Sequence, residues 1–226
     1  MAAQTKAKQN LVARKLEIEN EHTPDDSRKW WGVALGVSVV LFLCGTYIAH
    51  KHAVTGLNLS LFHVINNWPN SLRLFFLIVI VSSNSLWIAI AALIVTSLLK
   101  LYQLTWQLAA ATITAAGLGY VAKAIIAEPR PYKLLSNLHM RTVETDASYP
   151  SGHVLIVTVI VMTLWPYLPR GWRWLIAGMI PLMAVARIYL GVHTPVDVVG
   201  GFAVSFAVVS AMRVLPETIR KRLRFD

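Results

Sequence analysis

Three short segments concentrate residues suited to chemistry on an anion. The first is Lys123-Ala-Ile-Ile-Ala-Glu-Pro-Arg130-Pro131, the second Pro150-Ser151-Gly152-His153, and the third runs from Arg187 through His193 to Asp197. Lys123, Arg130 and Arg187 adjoin apolar stretches, where a charge without a partner is costly. Three such cations brought together suit a phosphate dianion, which arginine can grip with two parallel N–H bonds. Ser151 has the character of a helix N-cap followed by Gly152 and an apolar run, and free N–H groups at a helix start favour an anion. His153 adds a titratable proton donor. Thr194-Pro195 reads as the N-cap and first residue of another helix, with Asp197 in its first turn. A carboxylate there is favoured by the helix dipole and can reach back to His193. A carboxylate on one imidazole nitrogen fixes the tautomer and leaves the other nitrogen free as a nucleophile.

The elements that must position these segments are membrane helices. Of 226 residues, 56% are hydrophobic and only 14% charged, against about a quarter charged in soluble domains. Mean hydropathy is +0.55. A span needs about 20 mainly apolar residues. The apolar runs predict six, over 30–49, 79–99, 106–126, 153–168, 175–192 and 195–215, with a helix near 58–77 lying at the interface. The expected fold class is all-α: a six-transmembrane-helix bundle with an interfacial helix between the first two spans. Residues 1–29 form a cytoplasmic N-terminal tail without a signal peptide, 30–215 the bundle, and 216–226 a basic cytoplasmic tail. The Ser82-Ser83-Asn84-Ser85 run interrupts the second apolar stretch, and residues 10–29 could form a surface helix.

With the N-terminus inside, Lys6, Lys8, Arg14, Lys15, Arg28, Lys29, Lys100, Arg170, Arg173, Arg213, Arg220, Lys221, Arg222 and Arg224 fall on the cytoplasmic side. These are fourteen of the 21 Lys and Arg, as the positive-inside rule asks. Lys123, Arg130, Lys133, Arg141 and Arg187 gather on the other face, where anion binding would explain them. The net charge of +10 is therefore read as topology, and no nucleic-acid partner is expected. The single Cys44 excludes an intramolecular disulfide, and no carboxylate cluster near the three segments suits magnesium.

Lys-six residues-Arg-Pro, then Pro-Ser-Gly-His, then Arg-five residues-His-three residues-Asp resembles the signature of the type-2 phosphatidic acid phosphatase superfamily. The resemblance implies a bacterial membrane-bound, metal-independent lipid phosphatase without a cofactor. By it, His193 is the nucleophile and forms a phosphohistidine, Asp197 holds it, and His153 is the acid and then the base. Lys123, Arg130, Ser151, Gly152 and Arg187 bind the phosphoryl oxygens. One departure is Ala186, where the pattern usually has Ser, which removes a possible supporting contact. The implied partners are a lipid phosphate and membrane lipids, with the protein in the inner membrane and the site on its outer face. Undecaprenyl pyrophosphate, phosphatidylglycerophosphate, phosphatidate and a lipid A phosphate all stay open as substrates, with a lean to polyprenyl pyrophosphate or a general phospholipid phosphatase.

Plainer readings compete for individual residues. Arg and Lys near span ends often only snorkel, which suffices for Lys51, Arg73 and Lys133. Glu128 and Asp146 flank the site and could tune it, but loop acids usually face water. His139 and Arg141 are candidates for headgroup contact. Trp30, Trp31, Trp172 and Trp174 read as interfacial belts, and His50, His52 and His63 show no ligand spacing. Phosphotransfer to a lipid acceptor would use the same residues as hydrolysis. A lipid transporter fits less well, since its charges would lie near the midplane, often within repeats.

Overall fold

A computed structural model of the protein describes residues 25–52, 54–82, 85–215 and 219. Among these residues the architecture is all-helical. Helix α1 runs Asp25–His50, α2 Gly56–Asn66, α3 Arg73–Ser82, α4 Ser85–Leu98 and α5 Tyr102–Ile126; then follow the short α6 Pro131–Leu134, α7 Gly152–Leu164, α8 Arg170–Ala177, α9 Met179–Tyr189 and α10 Pro195–Val214. Most of the two tails, with Ser83 and Asn84 of the interruption, lies outside the described residues, whereas residues 25–29, expected in the N-terminal tail, begin α1.

Helices α7 and α10 form the centre, α10 packing on α1, α7 and α5, and α9 closing one side of α7. Helix α7 is apolar all round, and Val154, Leu155, Val157, Val159, Ile160 and Val161 are buried on several of its faces. A helix with no polar stripe must be surrounded. The outer helices invert the soluble pattern. Val33, Val37, Val40 and Leu43 on α1 and Ile113, Leu118, Val121 and Ile125 on α5 face outward. An apolar exterior of that extent belongs in lipid. The regions 28–50, 102–134 and 195–214 include helix long and apolar enough to cross a membrane, and 70–79, 87–98 and 152–167 are shorter apolar helices.

Two expected elements are subdivided. The stretch expected at the interface is α2, a turn at Trp68-Pro69, a 3-10 turn over Asn70–Leu72 and then α3, because proline cannot continue a helix. Here Phe76 of α3 meets Tyr189 of α9 with ring centroids 4.6 Å apart. The expected fifth span is α8 and α9, parted at Gly178.

Small residues let the central backbones approach. A Cβ on Gly201 of α10 would lie 2.4 Å from the Ser151 carbonyl oxygen and 3.3 Å from Leu155 N. Both are backbone atoms at the start of α7 and cannot swing aside. Gly201→Ala is expected to destabilise the bundle by about 1–3 kcal/mol, measured as a faster loss of structure in a detergent thermal ramp. A wild-type melting curve would mean that α7 and α10 are not so close.

Candidate active site

Four helix ends meet at one end of the bundle: the C-termini of α5 and α9 and the N-termini of α7 and α10. Residues 135–150 cover them. This loop is fastened at its near end by groups with no motif-like spacing. Asn66 donates to the carbonyls of His139 and Tyr189 at 3.0 and 3.1 Å and accepts from His139 N at 2.8 Å. Arg141 donates to Asn66 O, Trp68 O and Tyr189 O at 2.7–3.0 Å and lies over the Tyr189 ring at 4.0 Å. Arg141 is therefore not available to a headgroup; a buried guanidinium must be saturated, and carbonyls of α2, the turn after it and α9 do it. Arg73 also does more than snorkel, since it donates to Arg141 O at 3.2 Å. Gly191 makes the turn from α9 towards His193 at φ 79°, and a Cβ there would meet His139 O at 2.9 Å.

His193 sits on that turn, 1% exposed. Arg130 NH1 donates to its Nε2 at 3.0 Å and to Val192 O at 2.9 Å. A guanidinium has no acceptor, so Nε2 must offer a lone pair and the ring proton must reside on Nδ1. Nδ1 is 3.4 Å from Asp197 Oδ2. Burial, and then the positive charges of Arg187, Arg130 and Lys123, hold the imidazole well below its ordinary pKa of 6.5. The ring is thus neutral, with its free nitrogen directed at the cations.

Asp197 is held more tightly by other groups than by His193. Its Oδ2 accepts from Ser148 Oγ at 2.6 Å and from Thr194 N at 2.6 Å, while Thr194 Oγ1 accepts from Asp197 N at 3.4 Å. The expected Thr194 cap is a reciprocal capping box. Ser148 was not singled out in the sequence; only its place in space brings it to Asp197. The Ser151 N–H donates to Asp197 O at 2.9 Å, tying the second segment to the third.

Ser151 differs from expectation. It occupies the N-cap position of α7, but its side chain makes no capping bond, and its Oγ is buried without a partner among the described residues. Such a hydroxyl is costly unless something else accepts from it.

The cations converge. Lys123, Arg130, Gly152, His153 and His193 line a cavity of ≈ 430 Å³. Arg187, 1% exposed, reaches its edge through Glu144. Two loop carboxylates neutralise the cations. Glu144 pairs with Arg187 and, at 2.8 Å, with Arg130, while Asp146 pairs with Arg130 at 2.5 Å and Lys123 at 2.8 Å. Burial works to raise the Glu144 carboxyl, but Arg187 and Arg130 outweigh it and hold the group below the usual carboxylate range. Asp146 behaves likewise, its burial outweighed by Lys123 and Arg130. Glu144 was missed because a loop acid has no periodicity to betray it. Glu128 is the opposite of a water-facing acid, being 4% exposed. Among the described residues no three His, Cys, Asp or Glu side chains converge as a metal site would need.

Below the polar end the cavity is walled by Ala116, Gly119 and Tyr120 of α5 and by Leu155 and Ile156 of α7. One cavity thus joins an anion cradle to an apolar trough.

Comparison with known proteins places this arrangement. The model of the PAP2 superfamily matches residues 104–221, which contain all three segments. The chain belongs to the PAP2 superfamily. This PAP2 protein is 34% identical over 157 residues to the undecaprenyl-diphosphatase of Sulfolobus acidocaldarius, covering 65% of this chain and 72% of that one. It is 33% identical over 88 residues to phosphatidylglycerophosphatase B of Bacillus subtilis, 34% of this chain and 43% of that protein. Among solved structures it resembles LpxE of Aquifex aeolicus, with a TM-score of 0.65 at 25% identity over 71% of this chain and 96% of that one. It shares its fold with a transmembrane PAP2-type phosphatidylglycerolphosphate phosphatase of Bacillus subtilis, TM-score 0.61 at 22% identity, over 82% and 96% of the two chains. This PAP2 protein is a membrane enzyme of the lipid phosphatase class.

Proposed function

We propose that the enzyme hydrolyses a phosphomonoester or pyrophosphate of a membrane lipid through a phosphohistidine on His193. The observation that carries this reading is the setting of His193: its Nε2 faces Arg130 within a cage of cations and its Nδ1 faces Asp197, which makes Nε2 the nitrogen without a proton. In the first step a bond forms between Nε2 and phosphorus while the bond from phosphorus to the lipid oxygen breaks. His153, lining the same cavity, protonates the leaving oxygen. In the second, His153 takes a proton from water as the water oxygen bonds to phosphorus and the N–P bond breaks. Lys123, Arg130, Arg187, the unpartnered Ser151 hydroxyl and the Gly152 N–H hold the phosphoryl oxygens and the charge that develops on them. No metal or cofactor enters this scheme.

The apolar trough favours a lipid, because a chain lying between α5 and α7 reaches the phosphate cradle from the bilayer. The named activities of the similar proteins support an undecaprenyl pyrophosphate or a glycerophospholipid phosphate among the candidates. The distribution of Lys and Arg supports cytoplasmic termini, six crossings with an interfacial helix between the first two, and a site on the outer face of the inner membrane. Phosphate release from a panel of lipid phosphates in EDTA tests the proposal. Release that survives the chelator and ranks the lipids is expected, while release that requires an added divalent ion would refute the metal-free scheme.

Substrate phosphate must displace Glu144 and Asp146 from the cations. Asp146 is the more exposed of the two, its side chain 58% accessible, so its pairs are well screened. Asp146→Asn is expected to lower KM by about two- to fivefold, with kcat little changed. A raised KM would mean that Asp146 organises the cradle instead of occupying it.

A further inference from the structure

Behind His193 lies a carboxyl group that the chemistry above leaves unused. Glu128 follows the C-terminus of α5, where Ala127 adopts a left-handed conformation at φ 49° and turns the chain. Its backbone carbonyl accepts from Ser148 N at 2.8 Å, which places Glu128 beside the group that holds Asp197. The side chains of Glu128 and Asp197 are both buried, 4% and 0% exposed, on either side of Ser148, and the charge of Asp197 acts on the Glu128 carboxyl. Yet Glu128 Oε2 and Asp197 Oδ1 are both buried, and among the described residues neither finds a donor. Buried acceptors left in this way are costly, and two adjacent buried carboxylates do not both ionise. A single proton between them removes both difficulties. It resides on Glu128, because Ser148 and Thr194 already donate to Asp197 and favour its ionised form.

We propose that Glu128 is a positioning residue: a neutral carboxylic acid that donates its proton to Asp197 and so fixes the charge and orientation of the carboxylate behind His193. The proposal rests on the reading of His193 as nucleophile and adds a member to the machinery that aims it. With Oδ1 held by Glu128, and Oδ2 by Ser148 and Thr194, the carboxylate cannot rotate away from Nδ1. Glu128 does not touch the phosphate, so its effect belongs to kcat. Burial, and then the charge of Asp197, push the Glu128 carboxyl up to about 10. The titratable groups facing it are Asp197 on α10 and Tyr149 before α7; the nearby Lys123 is turned to Asp146 and Ala147. An unfolded glutamate titrates near 4.5. Between that value and about 10 the folded chain therefore holds an extra proton, and stability falls as pH rises through the window.

Infrared spectra of the full chain in lipid nanodiscs test the proton directly. At neutral pH the wild type is expected to show the carbonyl stretch of a protonated carboxylic acid that is missing from Glu128→Gln. Absence of that band in the wild type would overturn the proposal, and this arm is independent of catalysis. In the kinetic arm Glu128→Leu is expected to lower kcat by about 10- to 100-fold with KM nearly unchanged. Glu128→Gln, which keeps a donor and no charge, is expected to recover most of that loss. Equal defects in Leu and Gln, or none in either, would refute the positioning role. If no lipid phosphate is hydrolysed by the wild type, the phosphatase reading fails while the infrared arm still locates the proton.

Discussion

His193→Ala is expected to lose phosphate release by about 10⁵-fold or more, with the protein still folded and still binding phosphate. The size of the effect follows from the division of labour at the site. Arg130 and Arg187 are 1% exposed, and besides the Arg130 bond to Nε2 they are held by Glu144, Asp146 and the Val192 carbonyl. Deleting the ring therefore leaves the cradle in place and removes the group that bonds to phosphorus. Water attacking directly in that cradle would retain part of the transition-state stabilisation, which sets the residual rate. The check is steady-state phosphate release together with phosphate affinity by calorimetry. A loss of less than about 100-fold would mean that another group attacks, and His153 would be the first to examine.

Asp197→Asn is expected to lower kcat by about 10³- to 10⁴-fold while KM changes little. The substitution preserves volume but alters the donors. Ser148 Oγ and Thr194 N, both at 2.6 Å, need an acceptor at Oδ2, so the amide oxygen must stay there and the NH2 group turns towards Glu128. The ring then faces a neutral carbonyl in place of a carboxylate. That weakens the hold on Nδ1–H and leaves the imidazolium of the phosphohistidine without its counterion. If the amide reverses instead, it donates to Nδ1 and drives the proton onto Nε2, against the Arg130 N–H at 3.0 Å. Either arrangement disables the nucleophile while leaving the phosphate contacts alone. Ring-nitrogen NMR shifts of His193 distinguish the two. A kcat within about tenfold of wild type would remove Asp197 from the account.

The site segments were legible because each lies at the end of an apolar run, where a helix terminus fixes its direction. Thr194-Pro195 announces a helix start, and the capping box that forms there brings Asp197 back under His193. What could not be read was whatever depends on where a loop folds. Glu144, Ser148 and Asn66 belong to no periodic pattern, and their partners are 43, 49 and 73 residues away. Glu128 was read as solvated because acids in loops usually are, and the left-handed turn at Ala127 reverses that. Hydropathy likewise reports apolar length but not helix continuity, so the break at Gly178 and the turn at Trp68-Pro69 went unread.

The central claim is that phosphate passes through His193. The most direct measurement uses a lipid substrate labelled in its terminal phosphate, mixed with enzyme, quenched in base to preserve phosphohistidine, and digested. The label is expected on the peptide carrying His193, formed within the first turnover, discharged by water and absent from His193→Ala. Full turnover with no label on any peptide, or with label on the His153 peptide, would contradict the account.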